Sequence, residues 1–481
     1  MAIATVNPAT GETLAIFQPL SDAATKEKVR LAAETFRTFR RTSFSERAGI
    51  LLRVAEILET KREDFSRLIT TEMGKPIRSS RSEIEKSLRL CRYYAAEAER
   101  LLADEHIHTD AQRSYISCEP LGPVLAVMPW NFPFWQVIRM AAPAIMAGNV
   151  VLLKHASNVP QCALAIESIF QSAGSLRGLL QTLFVSSSKI AALIAEREIA
   201  AVWLTGSDAA GSAVGAYAGA QIKKSVLELG GSDPFVVMPS ADVAEAVKTA
   251  VIARTQNSGQ SCVSAKRFII VAEVYEEFER AFIEEMKCLR VGDPFDEATQ
   301  IGPLASCEAL RKLEAQIDGS VSAGARVLLG GRRLGRRGFY YAPTVLTELP
   351  PSASTYAEEF FGPVAILFRA RNIDDAIRIA NDTPFGLGAS VWTNDEEECA
   401  RFVREIEAGT VVVNGLVASD ARFPFGGVKR SGYGRELGVY GLREFVNLKT
   451  IRIEKFVSAA NQASSGRRRI ARQRQVLEVN K

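Results

Sequence analysis

The sequence predicts an α/β protein with two sheet-containing domains. Three observations support this fold class: short apolar segments recur along the chain, helical segments separate them, and a polar, glycine-rich stretch divides them into two series. Alternation of this kind is typical of βαβ units and of a doubly wound parallel sheet. The 481 residues suffice for about two to four domains, and a chain of this size needs no disulfide or metal to hold its core.

The N-terminal region predicts helices, and the apolar segments predict strands. Residues 22–103 are rich in charge and carry apolar residues at three- and four-residue spacing, which indicates amphipathic helices. The first sheet is predicted from segments 124–128, 149–154, 181–185, 200–204 and 225–229. The second is predicted from segments 234–238, 267–271, 363–368, 390–393 and 410–414. Because ligand sites form preferentially in domain clefts, we expect one at the polar stretches ELGGSDP and QNSGQSC between the two series.

Three segments fit neither sheet. Residues 109–122 alternate like an exposed β-hairpin, and residues 445–455 alternate like a further strand. Exposed edge strands usually need a partner, so both segments are candidate contacts in an oligomer. The tail from about Ser458 is rich in Ser, Gln and Arg and is predicted to be disordered.

Composition excludes several classes of protein. Residues 456–481 carry a net charge of +5, so the remaining 455 residues carry −1 although the whole chain carries +4. A nearly neutral body offers no general argument for binding nucleic acid or a membrane surface. No segment approaches the roughly 18 consecutive apolar residues of a membrane span, and the N-terminus lacks a secretory pattern. We therefore expect a soluble, cytoplasmic protein.

Cysteine and histidine usage limits the possible chemistry. Seven cysteines without a CxxC pair argue against a disulfide framework and against a thiolate zinc site. Three histidines in 481 residues make a histidine metal centre or a Ser-His-Asp triad improbable. The sequence therefore predicts no metal, and a nucleophile in this chain needs a base other than histidine.

Two residues are candidates for catalysis because their neighbours do not suit a core position. Cys262 lies in NSGQSCVSAKR among small polar residues, as a nucleophile that faces a cleft would. Core packing is the alternative for Cys262 and the interpretation for the other six cysteines. Glu228 is the only charge in the strand VLELGG, and burial would raise its pKa toward a value useful for a general base. Its alternative role is a salt bridge to Lys223 or Lys224.

Two further segments could bind oxyanions or phosphates. Asn131 follows a buried strand in MPWNFPFWQ, where its amide could donate to an oxyanion, or where it could simply form a turn. Gly206 and Ser207 lie between a strand and a helix, a position that suits a pyrophosphate but also an ordinary turn. The glycine-rich segment 431–438 follows no apolar strand, so it is not a dinucleotide-binding fingerprint.

Taken together, these segments resemble the aldehyde dehydrogenase superfamily. The motifs PWNFP, LLK, TGS, LELGG, GQSC, EEFFGP, NDTPFGL, PFGG and GRELG occur in the order of that family over about residues 5–455. The resemblance implies a Rossmann-type cofactor domain, a second α/β catalytic domain and a small β-arm for oligomerisation. It divides the chain into a cofactor domain (1–103 and 122–231), a catalytic domain (232–414), a return segment (415–444), an arm (104–121 and 445–456) and a basic tail (457–481).

The resemblance assigns a role to each catalytic candidate. The Cys262 thiolate would attack an aldehyde, and Asn131 with the Cys262 backbone N–H would hold the resulting oxyanion. After hydride transfer to the nicotinamide, Glu228 would activate the water that hydrolyses the Cys262 thioester.

The same resemblance places the cofactor, which is expected to be NAD or NADP. Lys154 and Trp130 would lie near the adenosine ribose, and Gly206 and Ser207 at the pyrophosphate. Glu359 would hold the nicotinamide ribose, with Phe361 near the ring. NAD-preferring members often carry Glu at the position of Ser157. A carboxylate there would repel a 2′-phosphate, so Ser157 predicts that NADP is used alongside NAD.

Within the superfamily, LLKHA, SVLELGGSDPF and ASDARFPFGGVK look like the bacterial NAD(P)-linked succinate-semialdehyde dehydrogenases. Arg139 matches a family contact to the substrate carboxylate, although a residue on a helix surface is the alternative. A second arginine found in some members is Gln256 here, which weakens the case for strict succinate-semialdehyde specificity. Ser419 and Arg422 could compensate.

Several rival interpretations stay open. Glutarate semialdehyde or a neutral aliphatic aldehyde could be the substrate. A CoA-acylating enzyme would lack the base at Glu228, and a non-catalytic binding or structural protein would lack Cys262, Glu228 or Asn131. The Arg-rich tail could bind nucleic acid, although such tails are usually solvated. Members of the family form dimers or tetramers, so we expect a homo-oligomer.

Overall fold

A computed structural model describes residues 3–174 and 176–456 as an α/β structure. The predicted basic tail, 457–481, lies outside the described residues. The helices are α1 (Asp22–Phe39), α2 (Phe44–Thr60), α3 (Arg62–Met73), α4 (Ile77–Leu101), α5 (Trp135–Met146), α6 (Pro160–Ser172), α7 (Ile190–Ala195), α8 (Asp208–Ala220), α9 (Val243–Thr255), α10 (Tyr275–Lys287), α11 (Cys307–Ser322), α12 (Ile373–Asn381), α13 (Glu396–Glu405) and α14 (Gly438–Leu442). The strands are β1 (Ile3–Val6), β2 (Thr13–Phe17), β3 (Glu105–His106), β4 (Arg113–Pro120), β5 (Pro123–Met128), β6 (Val150–His155), β7 (Leu180–Thr182), β8 (Ala201–Thr205), β9 (Lys224–Glu228), β10 (Pro234–Val237), β11 (Arg267–Val271), β12 (Arg326–Leu329), β13 (Thr344–Thr347), β14 (Val364–Ala370), β15 (Phe385–Gly386), β16 (Gly388–Trp392), β17 (Thr410–Val413), β18 (Val428–Lys429), β19 (Gly432–Tyr433) and β20 (Val446–Ile453).

The first sheet has the strand order β19-β9-β8-β5-β6-β7, and every pair except β19–β9 is parallel. Its five parallel strands are the five predicted from sequence. Three of them, β5, β6 and β8, carry mostly apolar side chains that are buried on both faces of the sheet, which is why they appear as apolar runs in the sequence. The short antiparallel strand β19 escaped prediction because it has two residues.

The second sheet has the order β12-β13-β14-β11-β10-β16-β17, and only the β12–β13 pair is antiparallel. The five predicted strands form its β14-β11-β10-β16-β17 part. Separate apolar clusters cover its two faces, one containing Phe235, Phe268 and Phe282 and the other containing Ile269 and Phe402. The edge strands β12 and β13 were not predicted.

The predicted helical region 22–103 is confirmed as α1–α4. Ser43 caps α2 reciprocally with Glu46, and Gly74 ends α3 with φ at 85°, a left-handed conformation that favours glycine. The apolar sides of α1–α4 pack into the core that covers the first sheet. None of the helices in residues 3–174 and 176–456 is long and apolar enough to cross a membrane.

The two segments outside the sheets pair with each other. β4 and β20 form an antiparallel ladder from Val446–Pro120 to Ile453–Arg113, and β3 adds to the other edge of β4. The predicted hairpin over 109–122 is corrected in its bounds: this segment holds the single strand β4, which pairs with β3 just before it and with β20 more than 300 residues later. This three-stranded unit is called the β-arm below.

Candidate active site

Four predicted site segments lie at one edge of the first sheet. Asn131 follows β5, Lys154 lies near the end of β6, Ser207 follows β8, and Glu228 ends β9. These strands are parallel neighbours, so their carboxyl ends meet at the same edge. Ligands of doubly wound sheets bind at this edge.

The Cys262 loop begins where α9 ends. Asn257 and Ser258 have φ of 56° and 57°, followed by Gly259 at 76°, so three consecutive residues adopt left-handed conformations. A β-carbon on Gly259 would lie 2.4 Å from the carbonyl carbon of Gly362, which explains why glycine is needed there. Strain of this kind is characteristic of functional loops, and here it reverses the chain before Cys262.

Hydrogen bonds join this loop to Asn131. The Asn131 side-chain nitrogen donates to the Gln260 carbonyl at 3.2 Å, and the Asn257 amide donates to the Asn131 carbonyl at 2.9 Å. Asn131 is 4% exposed. Its side chain is thus fixed against the loop that carries Cys262 rather than solvated in a turn. Sequence reasoning missed Asn257, whose side chain has no recognisable motif.

Cys262 is partly exposed, and burial raises the pKa of its thiol to about 12, against the lowering effect of Arg139 and Lys266. The Lys266 ammonium donates to the carbonyls of Cys262 at 2.6 Å and Ser261 at 2.9 Å, and lies 3.1 Å from the Glu359 carboxylate. Lys266, which the sequence analysis also missed, therefore links the Cys262 loop to Glu359.

Core packing is correct for three of the other cysteines. Cys91 and Cys162 are buried, and the partly exposed Cys118 packs against the core that covers the first sheet. It is wrong for Cys288, which is exposed, and for Cys307 and Cys399, which are partly exposed on helices with a solvated face.

Glu228 is 2% exposed at the end of β9. Burial first, and then the neighbouring Glu436 carboxylate, raise its pKa well above the ordinary value. Its Oε1 lies so near Gly426 that a β-carbon there would come within 2.5 Å of it. The alternative of a salt bridge to an adjacent lysine is wrong, since Lys224 pairs with Glu444 and Lys223 donates to backbone carbonyls.

The residues assigned to the cofactor carry N–H, ammonium and hydroxyl groups, which are suited to binding the phosphates and ribose of a nucleotide. Ser207 caps α8, whose N-terminus offers backbone N–H groups to an anion, while the Gly206 N–H already donates to the Glu228 carbonyl at 2.9 Å. Lys154 is half-buried, and burial alone lowers its pKa. Ser157 follows β6, three residues after Lys154.

Near the predicted nicotinamide end, two aromatic rings meet. Trp130 and Phe361 lie edge to face with ring centroids 5.6 Å apart, which brings segments from both sheets together. Glu359 accepts from the Gly231 N–H at 3.2 Å, and a β-carbon on Gly230 would lie 2.6 Å from its Oε2. The ELGG glycines thus let this carboxylate approach the edge of the first sheet.

The three predicted substrate residues differ in their surroundings. Arg139, on α5, is 2% exposed and forms an ion pair with the buried Glu436, so the alternative of a helix-surface position is wrong. The Arg422 side chain is 71% exposed and pairs with Asp420 at 2.6 Å. Ser419 accepts a hydrogen bond from Lys86 on α4 at 2.6 Å. Lys86 was missed because nothing in the charged sequence of α4 distinguishes it.

No group of three or more His, Cys, Asp or Glu side chains that could hold a metal ion occurs in the part of the chain that the structure describes.

The sequence profile described as "Aldehyde dehydrogenase family" matches residues 1–451. The chain belongs to the aldehyde dehydrogenase family. This confirms the resemblance found in the motifs, and the α/β fold of this family is the one described above. The arrangement of a cysteine on a strained loop, an adjacent amide and a buried glutamate is therefore the candidate active site of an aldehyde dehydrogenase.

Individual members resemble this aldehyde dehydrogenase over nearly its full length. It is 53% identical over 451 residues to the probable succinate-semialdehyde dehydrogenase [NADP(+)] of Synechocystis, covering 94% of this chain and 99% of that protein. It is 50% identical to succinate-semialdehyde dehydrogenase [NADP(+)] 1 of Mycobacterium tuberculosis, with the same coverage. Among solved structures, succinic semialdehyde dehydrogenase from Streptococcus pyogenes in complex with NADP+ superposes with a TM-score of 0.92 at 33% identity, covering 94% of this chain and all of that one.

Proposed function

We propose that this aldehyde dehydrogenase oxidises succinate semialdehyde to succinate, using NADP, and NAD alongside it, as hydride acceptor and water to release the acid. The observation that carries the proposal is the pair of hydrogen bonds that join Asn131 to the loop of Cys262. A nucleophile and a fixed amide donor at one sheet edge are what addition to an aldehyde requires. The relatives named above support the choice of aldehyde and of cofactor.

In the proposed reaction, the partly exposed Cys262 thiol releases its proton to solvent, and the resulting thiolate attacks the aldehyde carbon. The carbonyl oxygen becomes an oxyanion that accepts hydrogen bonds from the Asn131 amide and the Cys262 backbone N–H. The nicotinamide, which Glu359 and Phe361 would hold, would supply the hydride acceptor. The carbonyl double bond re-forms as the hydride leaves, and the acyl group stays on Cys262 as a thioester.

Hydrolysis of the thioester is assigned to Glu228. Its carboxylate takes a proton from water, the resulting hydroxide attacks the thioester carbon, and the Cys262 thiolate leaves. Burial and the neighbouring Glu436 carboxylate raise the pKa of this carboxyl, which makes the Glu228 carboxylate a stronger base than an exposed one and supports the assignment. No histidine is needed, in keeping with the composition.

For the cofactor, we propose that Lys154 and Ser157 bind near the adenosine ribose. Trp130 was expected at the same ribose, but its ring meets that of Phe361, so we place Trp130 toward the nicotinamide end instead. Ser207 and the turn at Gly206 would face the pyrophosphate. A hydroxyl at Ser157 does not repel a ribose 2′-phosphate, and a nearby ammonium attracts one. Glu359, with Phe361, would hold the nicotinamide end. Arg139 and Ser419 are proposed to face the substrate carboxylate, with Arg422 further out.

The test is aldehyde-dependent formation of NADPH and NADH with succinate semialdehyde, glutarate semialdehyde, butanal and a cationic aminoaldehyde. We expect succinate semialdehyde to have the highest kcat/KM. Cys262→Ala should abolish turnover, whereas Cys288→Ala, which removes an exposed thiol, should not change it. Preference for a neutral or cationic aldehyde would contradict the proposed substrate. Turnover with NADP less than about one hundredth of that with NAD would contradict the proposed cofactor. Product formation that depends on CoA would show that CoA, and not water, releases the acyl group from Cys262.

We also propose that the protein is a homo-oligomer, either dimer or tetramer, that assembles through the β-arm. In the described residues, β20 pairs on one side only, and Leu448 on this strand is 56% exposed. An edge with unpaired backbone groups and an exposed apolar side chain favours contact with a second copy. Light scattering after size exclusion should give two or four times 52.4 kDa; a monomer would contradict the proposal.

The seven cysteines form no disulfide in the described residues, which favours a reducing compartment, and we propose the cytoplasm. Fractionation of cells that express the tagged protein should recover it with the cytosol.

A further inference from the structure

The strongest unexplained feature near the candidate active site is the ammonium group of Lys86. This residue lies on α4, which packs against α5. Its Nζ donates to the Ser419 hydroxyl at 2.6 Å and lies 4.4 Å from the centroid of the Trp135 ring. Lys86 therefore connects two helices to the 415–424 segment, and it does so at Ser419, a residue proposed to face the substrate.

The other two cations of this region are already neutralised. Arg139 forms its buried ion pair with Glu436, and Arg422 forms a bidentate pair with Asp420 in solvent. In contrast, among residues 3–174 and 176–456 no carboxylate forms an ion pair with Lys86. A partly desolvated ammonium without an ion-pair partner has a desolvation cost that an anion from outside the chain would offset.

Burial and the neighbouring charge of Arg139 disfavour the charged form of Lys86. Burial, followed by the nearby Arg139 charge, lowers the pKa of Lys86 to about 8, against the opposing influence of Asp420, Cys262 and Glu83. The ammonium thus interacts electrostatically with the nucleophile itself. A substrate that forms a bond with Cys262 would bring its far end into the field of Lys86.

The Lys86 ammonium and the Ser419 hydroxyl both keep N–H or O–H groups that can donate to a ligand. Lys86 has three N–H donors, of which one is used by Ser419. Because the Ser419 oxygen accepts from Lys86, its own O–H remains available as a donor. A carboxylate placed between them would accept one charged and one polarised hydrogen bond, and a neutral methyl group in the same place would satisfy neither.

We propose that Lys86 determines specificity by binding the carboxylate of the acidic aldehyde together with Ser419. Glu436 neutralises the charge of Arg139, so Arg139 offers hydrogen-bond donors to the site but adds no net charge. The proposal rests on the proposed function, because it assumes that the substrate carries a carboxylate at the end away from the aldehyde.

The test compares Lys86→Met, Lys86→Arg and the control Lys248→Met, which makes the same change at an exposed lysine of α9. The measured quantity is the ratio of kcat/KM for succinate semialdehyde to kcat/KM for butanal, a neutral aldehyde of the same length. Lys86→Met should lower this ratio by about 10- to 100-fold, mainly through the KM of the acidic substrate, as expected for loss of one charged hydrogen bond. Lys86→Arg should retain more of the ratio than Lys86→Met, and Lys248→Met should leave it unchanged.

A second readout separates this proposal from the proposed function. Calorimetric titration with succinate measures recognition of the carboxylate without turnover. If the wild-type enzyme prefers butanal yet binds succinate, and Lys86→Met weakens that binding by about tenfold or more, the proposed substrate is wrong but the role of Lys86 stands. If Lys86→Met lowers kcat/KM equally for both aldehydes, or changes neither, Lys86 does not determine specificity. Absence of succinate binding to the wild type would overturn the role of Lys86 directly.

Discussion

Lowering the pH should destabilise this aldehyde dehydrogenase through one buried residue, His155. The ring is 6% exposed at the end of β6. Its Nδ1 accepts from the Ala156 N–H at 2.9 Å, so Nε2 carries the proton and donates to the Pro133 carbonyl at 2.9 Å. Both ring nitrogens therefore have a partner in the neutral form, although the backbone oxygens of Pro133 and Met128 favour the charged ring. Burial lowers the pKa of His155 to about 4, from 6.5 in the unfolded chain.

The change in the free energy of unfolding follows from how many protons His155 binds in the folded and unfolded chains. Between pH 6.5 and pH 4 the unfolded chain binds more protons at this residue than the folded chain, so stability falls as the pH falls. Relative to pH 7, the loss from His155 is about 2 kcal/mol at pH 5 and about 3 kcal/mol at pH 4.

The assay is urea unfolding of the wild type and of His155→Gln at pH 7, 5 and 4, followed by tryptophan fluorescence. Gln keeps a donor for the Pro133 carbonyl but does not titrate. Because the other titratable groups are common to both proteins, the difference in their free energies of unfolding isolates His155. It should change by about 3 kcal/mol between pH 7 and pH 4, in the direction that disfavours the wild type at low pH. Parallel pH profiles would refute the conclusion that the fold holds this ring neutral.

Three further changes give distinct outcomes. Lys75→Met should lower the free energy of unfolding by about 3–5 kcal/mol, because it leaves the buried Glu83 carboxylate without its counter-ion. Lys28→Met, at a partly exposed ion pair, should cost less than about 1 kcal/mol in the same urea titration, and equal losses would contradict this account. Ser157→Glu should lower kcat/KM with NADP by at least about tenfold while turnover with NAD persists, and an unchanged cofactor ratio would exclude Ser157 from the 2′-phosphate site. Glu228→Gln should slow steady-state turnover by about 10²- to 10⁴-fold and preserve a first-turnover burst of NADPH in stopped flow; loss of the burst would place Glu228 before hydride transfer.

Local chemistry made much of the fold predictable. All ten predicted parallel strands are present. Most of them are buried on both faces of a sheet, which requires apolar side chains and leaves an apolar run in the sequence. The charged helices of residues 22–103 could also be predicted, from the three- and four-residue spacing of their apolar side chains. Short edge strands such as β12 and β19 were not, since few of their side chains are buried and their pairing depends on distant segments.

For the candidate site, the sequence predicted the reacting residues but not the contacts between them. Motif order identified Cys262, Glu228 and Asn131, because each needs a particular residue type beside a particular turn. The sequence could not show that Asn131 contacts the Cys262 loop, since hydrogen bonds across 129 residues depend on how the two sheets meet.

By itself, then, the sequence determined the alternation of strands and helices, the family and the reacting groups, all of which depend on near neighbours in the chain. Only the tertiary structure decided the balance of charge around them. The sequence left Arg139 as either a substrate contact or a helix-surface residue, and the fold places it beside Glu436, almost 300 residues later. Nothing in the sequence of α4 marks Lys86, which the fold places beside Ser419 and Trp135. The physical reason is that the energy of a charge depends on burial and on counter-ions, which the fold brings from distant parts of the chain.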